Sequence, residues 1–172
     1  MRKISDISAY TRKRKFDSTP EPQPPIAENS TDTDGHQNRQ SGNVQSDTDS
    51  RRRIFVIHKH SASHLHWDLR IEKDGVLKSW AIPKEPPALT GVKRLAIKVE
   101  DHPLEYADFE GIIPEGNYGA GKVEIWDRGY CKIEEYEPKE MLIDFDGKII
   151  KGRYALINTS GKNWLFFKTK NQ

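Results

Sequence analysis

The chain has 172 residues, of which 28 are basic and 26 acidic for a formal charge of +2, with 34% hydrophobic side chains and a mean hydropathy of −0.84. That length suffices for one domain with a proper core, the near-balance of charge points to no polyanionic partner by itself, and a single cysteine, Cys131, excludes an internal disulfide framework or a cysteine-rich zinc site. No apolar run approaches the roughly 20 residues that cross a bilayer, and the opening MRKISDISAYTRKRKF lacks the apolar core of a secretory signal, so a cytoplasmic protein with no membrane partner is expected.

In chain order, residues 1–16 form a basic arm in which Arg12, Lys13, Arg14 and Lys15 sit between Tyr10 and Phe16. Residues 17–50 contain no aromatic and only Ile26 and Val44 as large aliphatics. Such a stretch cannot offset its ordering entropy by burial, so a disordered polar linker is expected over 17–53, closed by Arg51, Arg52 and Arg53. From residue 54 to 172 the pattern is short and β-like. Strands are predicted at 54–59, 66–72, 76–82, 94–100, 122–127, 130–135, 142–146, 149–157 and 163–169. Asp74-Gly75 and Asp146-Gly147 read as hairpin turns. Helical periodicity is nearly absent, no internal repeat is visible, and the fold class is all-β, a barrel or sandwich.

The segment His60-Ser61-Ala62-Ser63-His64-Leu65-His66-Trp67-Asp68-Leu69-Arg70 carries the most chemistry. If 66–72 is a strand, His66, Asp68, Arg70 and Glu72 share one face, and Trp67, Leu69 and Ile71 the other. Two imidazoles and a carboxylate, from His60, His66 and Asp68, can bind a divalent transition metal and leave positions open for substrate or water. Zinc, manganese and iron all suit that donor set. The plain alternative is a set of polar side chains on the wet face of a sheet. Arg70, two residues beyond Asp68, can grip an anionic oxygen bidentately or pair internally with Asp68 or Glu72. His58 and His64 share the parity of the other histidines and are spare candidates. In the loop Glu100 to Tyr106, His102 can contact a phosphate oxygen or protonate a leaving group, and Tyr106 can hydrogen-bond the same anion. The stretch Glu110 to Gly121 holds four glycines in twelve positions and leads into a strand instead of a helix, so it reads as a structural loop beside the site. Lys73-Asp74-Gly75 is a turn, not the lysine motif of nucleotidyl-transferring ligases.

Taken together, His60 to Arg70, Leu77-Lys78-Ser79-Trp80-Ala81-Ile82-Pro83-Lys84, Val99 to Tyr106 and Glu110 to Trp126 resemble the phosphoesterase module of bacterial DNA ligase D and its stand-alone relatives, in the family's order and spacing. The opening Tyr10-x-x-Lys13-Arg14-x-Phe16-x-x-Thr19-Pro20-Glu21-Pro22 is similar to the family's amino-terminal element. The resemblance implies a compact β-barrel with a polar concave cleft, and a manganese-dependent enzyme of DNA repair that trims 3′ ends. It would remove a terminal ribonucleoside to leave a 3′-phosphate, then hydrolyse that phosphate to a hydroxyl. By the same resemblance, His60, His66 and Asp68 hold Mn2+, with Zn2+ or Co2+ as other candidates. Arg70, His102 and Tyr106 engage the scissile phosphate, Arg94 and Lys84 are further basic positions around the site, and Arg14 and Glu21 belong to a functional arm whose segment Arg14 to Glu21 folds back on the site. The implied partner of this monomer is a primer-template 3′ end, with a separate DNA ligase or polymerase acting on the product. Two positions depart from the family pattern: Lys15 stands where an acidic residue is usual, and His58 where glutamine is usual. Two rival readings of the residues are a non-haem iron oxygenase and a non-catalytic nucleic-acid-binding barrel with Trp67, Trp80, Tyr118 or Trp126 stacking on bases.

Overall fold

The computed structural model describes residues 7–25 and 51–170. Beyond Arg53 the alternation of apolar and polar side chains produces nine strands: β1 (Arg53–Ser61), β2 (Leu65–Lys73), β3 (Val76–Ile82), β4 (Lys93–His102), β5 (Gly111–Ile113), β6 (Gly121–Glu137), β7 (Glu140–Gly147), β8 (Lys151–Ser160) and β9 (Asn163–Lys168). They pair in the order β1-β2-β3-β4-β9-β8-β7-β6, and β6 pairs back onto β1. The result is a closed eight-stranded antiparallel barrel, with β5 added to the start of β6. Among the described residues, helix is confined to α1 (Ser8–Arg12) and a 3₁₀ turn at Leu104–Asp108.

The wall has two apolar faces. Phe55, Ile57, Leu69, Ile71, Trp80, Ile82, Ile143, Phe145, Leu156 and Phe166 point inward and fill the barrel. Closure removes the sheet edges, and a barrel of this size is filled by side chains. The residues between them point outward. Across β1 and β2 the outward pairs are Val56 with Arg70, His58 with Asp68, and His60 with His66. A second apolar cluster of Tyr10, Val56, Leu77, Tyr106, Phe109, Ile113 and Val123 covers part of this outer wall. The polar cleft is therefore on the outside of the barrel, and its interior is apolar.

The described part of the arm and linker, residues 7–25, belongs to this outer cluster. Tyr10 is fully buried, its ring against His102 and Tyr106 at centroid distances of 5.0 and 5.9 Å, and its hydroxyl donates to the Pro22 carbonyl at 2.7 Å. Residues 1–6 of the expected arm and 26–50 of the expected linker lie outside the described residues.

Three local expectations are corrected. The segments 122–127 and 130–135 are one strand, β6, which leaves β1 and joins β7. The step past Trp126 is a bulge, since Ile57 faces Asp127 and His58 faces Ile125. The strand meets β7 where Gly129 faces Gly147, and a Cβ on Gly129 would run into the Asp146 carbonyl. The second correction concerns turns. Asp74 and Gly75 do adopt φ of 54° and 77° as an Asp-Gly hairpin requires, but Asp146 and Gly147 stay in β7 and the chain reverses at Lys148 and Ile149. Gly147 N–H donates to the Ile150 carbonyl at 2.9 Å, while the amides of Lys148, Ile149 and Ile150 donate to the Asp127 carboxylate at 2.9, 3.1 and 2.8 Å. A buried acid from another strand thus makes this turn, without positive φ at its centre. Third, the glycine-rich stretch contains the short strand β5.

Candidate active site

The outward residues of β1 and β2 are fixed by the pleat, so the site follows from the register. His60 and His66 face each other with ring centroids 4.7 Å apart. The Asp68 Oδ2 lies 3.5 Å from His60 Nδ1 and 3.4 Å from His66 Nε2. The other nitrogen of each ring is committed: His60 Nε2–H donates to the Gly119 carbonyl at 2.6 Å and His66 Nδ1–H to the His64 carbonyl at 2.9 Å. A carbonyl only accepts, so these bonds select tautomers whose lone pairs face Asp68. Three lone-pair donors then converge within 4.8 Å of one another, an arrangement that repels itself unless a cation or proton sits among them. Carbonyl-anchored imidazoles facing a carboxylate are what a divalent metal requires, and the donors present fit one. Burial opposes a charge on His66, yet its bond to Asp68 raises its proton affinity above the usual value. Burial likewise works against the Asp68 carboxylate, but Arg70, His60 and His66 hold it well below the usual range.

Beside this centre, Arg70 is 3% exposed. Its Nη2 is 3.3 Å from Asp68 Oδ2, its Nε–H donates to His58 Nδ1 at 3.2 Å, and its Nη1 is 3.1 Å from His102 Nδ1. His58 in turn donates from Nε2 to the Phe109 carbonyl at 3.0 Å. Burial and the adjoining Arg70 push His58 down to about 3, so it stays neutral and keeps the lone pair that holds Arg70.

His102 stands between two guanidiniums. Its Nδ1–H donates to the Glu100 carbonyl at 2.9 Å, which leaves the Nε2 lone pair for Arg14 Nη2 at 3.3 Å. The Arg70 Nη1–H therefore finds no lone pair in this ring and remains available to an anionic oxygen. Burial, then Arg70 and Arg14, keep the His102 ring well below its ordinary pKa. Arg14 lies over the Tyr10 ring at 3.8 Å and pairs with Glu21 at 2.9 Å and Glu100 at 3.3 Å. Glu21 also receives the Tyr106 hydroxyl at 2.9 Å and the Thr19 hydroxyl at 3.1 Å.

A cavity of about 250 Å³ joins these groups, lined by the three metal-type donors together with Arg14, Glu21, Arg70, His102, Tyr106, Tyr118 and Gly119. Of the ten residues that the resemblance placed at the site, the structure thus brings eight together. It does not bring in two. Lys84 is exposed, and the Arg94 guanidinium donates to the Glu85 carbonyl at 2.8 Å; neither lines the cavity. Of the two spare histidines, His58 holds Arg70 and His64 contributes only its carbonyl. Sequence reasoning gave Glu100 and Tyr10 no role. The signal for Glu100 is its place two residues before His102, and for Tyr10 its place one turn before Arg14, at the head of the arm motif.

The outer wall of this closed barrel thus pairs a metal-type centre with an arginine-rich pocket, a class of site suited to an anion held beside a metal. The model of the DNA Ligase D 3′-phosphoesterase domain matches residues 58–158. The chain is 45% identical over 170 residues to the multifunctional non-homologous end joining DNA repair protein LigD of Mycobacterium tuberculosis, 96% of this chain and 20% of that protein. It is 42% identical over 174 residues to the multifunctional non-homologous end joining protein LigD of Pseudomonas aeruginosa, covering 96% and 19%. The Mycolicibacterium smegmatis protein of that name is 47% identical over 129 residues, 69% of this chain and 17% of its own length. The chain belongs to the DNA ligase D 3′-phosphoesterase domain family, and it spans about a fifth of the length of these relatives.

Proposed function

We propose that the protein is a manganese-dependent 3′-end-processing phosphoesterase acting on primer-template ends in non-homologous end joining DNA repair in the cytoplasm, with a ligase or polymerase using its product. The observation that carries this reading is a shared oxygen: Asp68 Oδ2 lies 3.3–3.5 Å from both histidine donors and from Arg70. A metal and an anion would thus be bound side by side.

His60 Nδ1, His66 Nε2 and Asp68 would hold the metal, which supplies Lewis acidity toward a phosphate oxygen and lowers the pKa of bound water. The protein's own groups do the rest. Arg70 Nη1–H, which finds no lone pair in the His102 ring, meets a non-bridging oxygen, and Arg14 approaches from the far side of His102. An anion between the two guanidiniums offsets the charges that keep His102 neutral, so its proton affinity rises as substrate binds. Tyr106, whose hydroxyl is committed to Glu21, and Glu21, whose carboxylate is committed to Arg14, position the arm over the phosphate. In the diester step an oxygen from water bonds to phosphorus, the bond to the terminal ribonucleoside's 5′-oxygen breaks, and that oxygen takes a proton. The 3′-phosphate left behind is then hydrolysed to inorganic phosphate and a 3′-hydroxyl. Lys84 and Arg94 stand outside the cavity, where they would meet nucleic acid beyond the scissile phosphate.

The test is a set of primer-templates ending in one ribonucleotide or in a 3′-phosphate, incubated with and without manganese and resolved at single-nucleotide spacing. Loss of the ribonucleoside and then of the phosphate, only with metal, is the expected result. Binding without turnover, or oxygen consumption dependent on ferrous iron and 2-oxoglutarate, overturns it.

A further inference from the structure

Four aromatic side chains are candidates for stacking on a base, and the structure separates them. Trp67 and Trp80 are 7% and 2% exposed within the barrel core, and Trp126 packs against that core. Tyr118 is 49% exposed and lines the catalytic cavity. We propose that Tyr118 is the platform on which the base of the 3′-terminal nucleoside stacks while the phosphate behind that nucleoside is cut. This rests on the phosphoesterase reading and adds to it the part of the substrate that is recognised.

The position of the ring is the first argument. Arg14 Cζ is 5.5 Å from the Tyr118 centroid, and the same guanidinium is 3.3 Å from His102 Nε2. The ring therefore stands next to the anion pocket, at a reach that a nucleoside attached to the bound phosphate covers without extra chain. The second argument is rigidity. Lys13 Nζ lies 4.8 Å over the ring and donates to its hydroxyl at 3.4 Å. The loop below it is closed by bonds from Asn117 N–H to Pro114 O and from Ala120 N–H to Asn117 O, at 3.3 and 3.2 Å. Asn117 on one side exchanges hydrogen bonds with Ser18 of the arm, at 2.8 and 3.2 Å, and Gly119 on the other holds His60. An exposed aromatic is usually unremarkable. This one is pinned between the arm and a metal-type donor, so it loses little freedom on contact with a base. Every base has a π-face, so a stacking platform recognises the terminal nucleoside without selecting its sequence, as an end-trimming enzyme requires.

The 3′-phosphate product no longer carries the terminal base, so the ring serves the diester step. Tyr118→Ala is expected to lower kcat/KM for a primer ending in one ribonucleotide by about 5- to 150-fold, the range that stacking of one base supports. The loss should exceed that for a 3′-phosphate end at least fivefold, and Tyr118→Phe and Tyr118→Trp should restore it. A primer ending in an abasic ribose supplies the closing measurement: the intact protein should already be slowed, and Tyr118→Ala should add no further loss. Equal losses on the two ends, or a further loss with the abasic end, overturn the assignment and make the ring a support for the arm. If the unaltered protein releases phosphate but no ribonucleoside, this inference falls together with the diester step while the monoester step stands; if it does neither with manganese, the whole phosphoesterase reading falls; if it does both and Tyr118→Ala changes neither, this inference falls alone.

Discussion

Asp127 gives the sharpest test of how this barrel is held together. It is 3% exposed, and its two oxygens accept four backbone amides, from Arg128, Lys148, Ile149 and Ile150, at 2.8–3.1 Å. In Asp127→Ala the buried Ile150 amide loses its partner outright, a cost of about 1–3 kcal/mol, while the three half-buried amides turn to water at about 0.5–1.5 kcal/mol each. The sum, about 3–7 kcal/mol, is a large share of the roughly 5–15 kcal/mol that keeps a domain folded. Asp127→Asn should recover little of it, because its amino group meets amides that need an acceptor. Urea unfolding followed by tryptophan fluorescence measures the effect, with a lower midpoint and an unchanged slope expected. A loss below about 1 kcal/mol would refute the idea that this carboxylate makes the β7–β8 turn.

Other outcomes follow from the site. Replacing His66 with Ala removes one of three converging donors, so manganese binding measured by calorimetry and phosphate release should both vanish; turnover retained in added manganese removes the assignment. His58→Gln keeps an acceptor for Arg70 and a donor for the Phe109 carbonyl and should stay near full activity. His58→Leu frees Arg70 and should cost on the order of 10²-fold, and equal activity of the two variants would show that His58 does not position Arg70. Acid should weaken the fold in a defined window. The unfolded chain binds protons at the His58 and His102 positions near pH 6.5, whereas the native rings are held down to about 3 and well below the usual value by burial and the neighbouring guanidiniums. Stability therefore rises with pH through this window and falls by about 1–3 kcal/mol per unit from pH 6 toward pH 4.5. His66 opposes this trend, since its raised pKa adds stability at low pH, and the depressed Asp68 adds its own loss only below about pH 4. Flat stability from pH 7 to 5 in urea titrations would contradict the account.

Much of this was legible from alternation alone. His66, Asp68 and Arg70 fall on one face because the pleat has a period of two, and Trp67, Leu69 and Ile71 enter the core for the same reason. The cross-strand partnership of His60 with His66 needed the β1–β2 register, which a three-residue connection nearly imposes. What local pattern could not show depends on distant contacts. The β7–β8 turn is set by Asp127 some twenty residues earlier, so Asp146-Gly147 misleads as a turn signal. Likewise, the Glu100 carboxylate gains its role because the arm brings Lys13 and Arg14 to it, at 3.1 and 3.3 Å. His58 looked redundant by parity, and only the fold reveals that it aims a guanidinium. That the polar face lies outside the barrel also escapes periodicity, which distinguishes two sides of a strand but not inside from outside once both carry apolar patches.

Because the reactive side chains hang from the exterior of the wall, the way to them runs between the arm and the loop that carries Tyr118 instead of through the barrel's mouth. Chemistry and scaffold are also separated by the thickness of one peptide plane. Variants that retune the reaction have therefore no methylene to displace among Leu69, Trp80 or Phe145, and a new substrate preference can arise on this wall without loosening what stands behind it.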